Sequence, residues 1–166
     1  MDNLPAFLKP GFEYEIGSYT FTKEAIIRFA EKFDPQEFHI SEEAAKESLF
    51  GKLCASGWHT TSVWMKMQRE YAARTLPDYS DENFAKIELG PSPGIKDLRW
   101  MRPVFVGDTV TYFNRNKEIR ESASHPGTYI LSVDHEAYTD HQKNELAMSF
   151  TGSVFIHLLP QEGEKA

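Results

Sequence analysis

Between Phe12 and Phe21 the chain alternates bulky and polar side chains, FEYEIGSYTF, the two-residue period of a strand with one buried face. The period then lengthens. Thr22 stands as an N-cap before Ala25, Ile26, Phe29, Ala30 and Phe33, which fall on one stripe of a short helix. Ser41 caps a further short helix with Ala44, Ala45 and Leu49 as its buried side, closing near Phe50-Gly51. Ser56 opens a third and longer helix, predicted over 57–75, because Trp58 to Arg74 contain neither proline nor glycine and are rich in helix formers. Its apolar residues lie all round the axis, so it is expected to be largely enclosed. Residues 76–93 carry prolines, glycines and acids and read as a surface connection long enough to cover a pocket. From Gly94 onward strands are predicted at 95–101, 109–121, 128–138 and 145–158, with turns between them, as an antiparallel meander. The polar residues 161–166 read as a frayed tail, and no internal repeat is visible. The pattern is that of an α+β chain in one domain over 1–166.

The stretch from Phe33 to His59 carries the chemistry. Asp34 and His39 would stand roughly 140° apart on an unbroken helix and could not meet on one atom. Pro35 forces Asp34 out of the helical region, so residues 35–38 can fold back as a tight turn and bring His39 beside the carboxylate. The same residues also read as a capping signature, with Asp34 as N-cap, Pro35 in the first helical position and Glu37 in the third. Downstream, Ser56 and Gly57 open the long helix. A glycine in a first turn lets a ligand oxygen approach free backbone N–H groups, and the helix dipole favours negative charge there; equally, it eases a crowded junction.

Composition narrows the partners. A net charge of -7 argues against nucleic acid and anionic membranes, both of which reward a basic face. The N-terminus lacks the basic and apolar regions of a signal peptide, no apolar run approaches a membrane span, and the one cysteine, Cys54, can form no internal disulfide. A cytoplasmic location is expected. Cys54 sits between Leu53 and Ala55 and reads as a small buried thiol rather than a nucleophile. Asp134-His135 and Asp140-His141 flank a predicted turn, where polar residues are common, and no metal site is assigned. Phosphate-binding, nucleophile-elbow and metalloprotease motifs are all missing from the sequence, and no cofactor is implied.

Asp34-Pro35-Gln36-Glu37-Phe38-His39, then Ala44-Ala45, Phe50-Gly51 and Ala55-Ser56-Gly57-Trp58-His59, resemble the signature of MaoC-like acyl dehydratases, relatives of the R-specific enoyl-CoA hydratases. Arg102-Pro103-Val104-Phe105-Val106-Gly107-Asp108-Thr109 resembles that family's second landmark. The better-known hydratase motif reads Asp-x-Asn-Pro-x-His; this chain keeps the Asp and His spacing but has Gln36 for the Asn and its proline at position 35. The resemblance implies a hotdog fold, an antiparallel sheet wrapped around a long central helix. It implies hydration or dehydration of an acyl-CoA thioester, with Asp34 and His39 handling protons and the Gly57 N–H holding the thioester oxygen. Gln36, Ser56, Trp58 and His59 become candidate substrate contacts, and a homodimer or an assembly of dimers is expected. A hotdog thioesterase and a non-catalytic acyl-binding or regulatory module are the alternatives.

Overall fold

A computed structural model describes residues 4–76, 84–139 and 145–160. A short 3₁₀ turn, Ala6–Leu8, leads into strand β1, Glu13–Thr20. Helix α1, Lys23–Phe33, starts at Thr22, whose hydroxyl accepts the Ala25 N–H. Two short helices follow, α2 (Glu37–Ile40) and α3 (Glu42–Lys46), the latter capped by Ser41. The long helix α4 runs Gly57–Thr75, the span read from its caps. Strands β2 (Phe84–Leu89), β3 (Gly94–Trp100), β4 (Thr109–Glu121), β5 (Thr128–Thr139) and β6 (Leu146–Pro160) complete the sheet.

Every pairing is antiparallel, in the order β1-β4-β5-β6-β2, with β3 also on β6. The sheet curls around α4, which buries Val63, Trp64 and Met67 against Tyr112, Ala137, Met148 and Phe150. This is the hotdog architecture. A second apolar cluster joins Leu4 and Leu8 to Ile87, Leu131 and Ile156. The N-terminal strap over it is clamped by the buried Asn116, whose Nδ2 donates to the carbonyls of Phe7 and Lys9.

Four local expectations change. The connection expected over 76–93 contains β2, because Ile87 and Leu89 bury one side of a short alternating run against β6; residues 77–83 lie outside the described set. Strand β3 does not continue the meander into β4. The segment between them turns aside to make the Cys54–Phe105 bridge, and β3 pairs with β6 instead. Leu49 is 97% exposed and Phe33 63%, since α3 ends at Lys46 and α1 at Phe33, so both side chains fall where the turn carries the chain away from the core. Helix α4 is open on one side, where Trp58 and Met65 are exposed.

Candidate active site

The turn at Pro35 does what its stereochemistry demands. Asp34 ends α1 as its C-cap at φ -152° and ψ 70°, outside the helical region, and Gln36, two residues later, is the N-cap of α2. The capping signature is therefore not used: the described hydrogen bonds of the Asp34 carboxylate run to side chains. Ser56 Oγ donates to Oδ2 at 2.7 Å and Gln36 Nε2 donates to Oδ1 at 2.9 Å. His39 Nε2 stands 3.6 Å from Oδ2. On its far side, His39 Nδ1 donates to the Cys54 carbonyl at 2.7 Å; a carbonyl can only accept, so the proton is fixed on Nδ1 and Nε2 is turned toward Asp34.

That carbonyl is itself held in place by the second sequence landmark. Ala55 N–H donates to Val104 O at 2.7 Å, Cys54 bridges to Phe105, and Asp108 Oδ2 accepts the Phe105 N–H across the tight turn at Gly107, φ +88°. Residues 102–108 thus position 54–56, which orient His39 and start α4. Ser56 serves both ends: its Oγ accepts the Trp58 N–H at 3.2 Å while donating to Asp34. Asp34, beside His39, is tied to the helix N-terminus through one hydroxyl.

Burial opposes ionisation of Asp34, but the hydrogen bonds from Ser56 and Gln36 and the field of His39 outweigh it, leaving its pKa below the ordinary carboxylate value. Asp34 is therefore an anion at neutral pH. Burial pushes the Cys54 thiol up to about 11, so it is not a thiolate.

The Gly57 N–H has no hydrogen-bond partner among the described residues, unlike the next amide in the turn. A side chain sequence reasoning passed over covers Gly57. A Cβ there would lie 2.5 Å from Cδ2 of Trp100, whose indole Nε1 donates to Thr61 Oγ1 at 3.1 Å. Thr61 in turn donates to the Gly57 carbonyl at 3.0 Å. Trp58 meets Trp100 edge-on, with ring centroids 5.0 Å apart. The signal available in the sequence was only an aromatic two residues before Arg102-Pro103.

His59 points elsewhere. It is buried, stacked on Phe29 at 4.5 Å with Phe21 and Tyr19 edge-on, and its Nδ1 has no hydrogen-bond partner among the described residues. Burial and the nearby Arg28 push its pKa down to about 4. The structure thus brings together Asp34, Gln36, His39, Ser56 and Gly57, sets Trp58 at the exposed rim, and places His59 in an aromatic box.

A curled antiparallel sheet around a helix whose N-terminus faces a carboxylate and an imidazole defines a class of hotdog proteins. The model of the MaoC-like domain matches residues 8–137, and the chain belongs to the MaoC-like dehydratase family. The MaoC-like dehydratase from Rhodospirillum rubrum is 28% identical, with a TM-score of 0.76 over 92% of this chain and 94% of that one. The monoamine oxidase regulatory protein from Archaeoglobus fulgidus is 25% identical, with a TM-score of 0.74 over 92% of each chain. The uncharacterized protein YdeM of Bacillus subtilis is 30% identical over 98 residues, which span 59% of this chain and 62% of YdeM.

Proposed function

We propose that the protein adds water reversibly across the double bond of a 2-enoyl thioester, most simply a coenzyme A ester, giving a 3-hydroxyacyl thioester. The observation that carries this is the Asp34–His39 pair at 3.6 Å, coupled through Ser56 to the first turn of α4. Hydration needs groups that take a proton from water and return one to the α-carbon, and a donor for the enolate oxygen. A water between Asp34 and His39 Nε2 gives up one proton to the pair as its oxygen bonds to C3. The electrons of the double bond pass to the thioester oxygen, held by the Gly57 N–H at the positive end of the helix. C2 then takes the proton back from the pair, so H and OH have been added and the site is unchanged. Gln36 and Ser56 keep Asp34 ionised and aimed.

Purified protein mixed with a short enoyl-CoA, with enoyl absorbance and free thiol both followed, tests this. Loss of the enoyl signal without thiol is expected. Thiol release would identify a thioesterase, and binding without either change would identify a non-catalytic module; both would overturn the proposal.

A further inference from the structure

A cavity of about 430 Å³ lies between α4 and the sheet, beyond the helix end that carries Gly57. Its walls are mostly apolar, with Leu8 of the strap, Tyr71, Leu131 and Ile156 among them. Met65 of α4 and Ile95 of β3 stand on its wall. Ile95 pairs with Gly152 and Trp100 with Met148; these partners are four apart on β6, so Ile95 and Trp100 share one face despite their odd spacing. The extra residue is absorbed by a bulge at 96–99, where Asp97 has φ 55°. Trp100 thereby sits on Gly57 and Thr61, while Ile95 joins Met65 at the cavity mouth, both 46% exposed.

The cavity wall also holds a polar relay. His135 is 5% exposed, and its Nδ1 lies 2.6 Å from Asn114 Oδ1 and 3.2 Å from Trp64 Nε1. Asn114 Nδ2 donates to Gln68 Oε1 at 2.7 Å. His135 Nε2 makes no described hydrogen bond. It lies over Gly152, where a Cβ would come within 2.7 Å of it, and both residues line the cavity with Gln68. Burial holds the imidazole neutral at ordinary pH, its pKa pushed down to about 3. Nε2 is open to the cavity rather than sealed in the core, and a mostly apolar ligand that fills the cavity displaces the water that would pair it.

We propose that His135 and Gln68 are specificity-determining residues that read a hydroxyl group on the far part of the acyl chain. This rests on the hydration reading above. A hydroxyl both donates and accepts, so it satisfies Nε2 in either tautomer of His135. Trp64, which packs against His135 at 4.6 Å between ring centroids, stands about 10 Å beyond Gly57 along the helix axis. The preferred substrate is therefore a medium-chain enoyl thioester, apolar along its middle and hydroxylated near its end.

The test compares a medium-chain 2-enoyl-CoA bearing a terminal hydroxyl with the same chain ending in methyl. The hydroxylated probe is expected to have kcat/KM at least about tenfold higher, because a methyl-ended chain displaces water from Nε2 and offers it no partner in exchange. His135→Phe and Gln68→Leu should each reduce or reverse that ratio, and Gln68→Leu serves if His135→Phe does not fold. Equal kcat/KM for the two probes, or a preference that survives in both folded variants, overturns the inference while leaving hydration standing. If neither probe is hydrated, the function proposed above fails. Calorimetric binding of the two probes then decides the pocket: tighter binding of the hydroxylated probe, lost in Gln68→Leu, supports the inference, and equal binding overturns it.

Discussion

Gly57→Ala tests the contact that joins the helix end to Trp100. The new methyl would meet Trp100 Cδ2, Cε2 and Cγ at 2.5, 2.6 and 2.8 Å. Carbon atoms rest at about 3.5–4.0 Å, so the indole has to retreat by about 1 Å or more. Overpacking of this kind costs about 1–3 kcal/mol, against up to about 1 kcal/mol regained from replacing a helical glycine by alanine. The net effect is a melting temperature lower by a few degrees, at about 2–4 °C per kcal/mol for a chain of this size. The retreat breaks the bond from Trp100 Nε1 to Thr61 and disturbs the path to the Gly57 N–H. Enoyl-CoA hydration should fall at least about tenfold, approaching the 10²- to 10³-fold typical of a lost oxyanion donor. The control is the same substitution in a Trp100→Ala background, where the methyl has room. There, Gly57→Ala should cost little more than Trp100→Ala alone, so the double mutant is strongly non-additive. An equal loss in both backgrounds would refute the steric argument.

Ser56→Ala removes the N-cap and the donor to Asp34 Oδ2, so stability should fall by about 1 kcal/mol. The Asp34 pKa should rise and carry the acidic limb of the kcat/KM profile to higher pH; an unmoved limb contradicts the assignment of Asp34 as the base. His59 titrates at about 4 when folded and near 6.5 when unfolded, so the unfolded chain binds the extra proton and stability falls as pH drops from 6.5 to 4. His135, lowered to about 3, adds a slope of the same sign over that window, so His59→Phe should remove about half of it in thermal melts; Asp34, whose pKa is lowered, withdraws its contribution only as pH falls below the ordinary carboxylate value. The exposed apolar row of Trp58, Met65, Ile95 and Trp100 lies beside β3, an edge strand. Pairing of two chains would cover it, and light scattering should report a dimer or larger, whereas a species of about 19.1 kDa at every concentration would contradict this.

What the sequence disclosed was what local chemistry decides. The bounds of α4 follow from Ser56 and an unbroken run of helix formers, and β4 and β5 from long alternation between turn residues. The break at Asp34 follows from Pro35 alone. What stayed hidden depends on distant partners. Strand β2 is six residues whose burial is supplied by β6, and the placement of β3 depends on the Cys54–Phe105 bridge. Trp100 reads as one aromatic in a strand until the fold lays it on Gly57. The buried histidines were likewise opaque: His59 ends in an aromatic box, while His135 packs against Trp64 and Phe150 and takes its polar contacts from Asn114 and Trp64, partners distant in the sequence.

The central claim is that Asp34 and His39 act as one proton-handling unit, and Asp34→Asn addresses it most directly. Asparagine keeps the shape and can still accept from Ser56 or Gln36, but it cannot take a proton from water. The account predicts a folded protein with a melting temperature close to that of the parent and kcat for enoyl-CoA hydration reduced at least about 10²-fold. Full hydration activity in folded Asp34→Asn would contradict it.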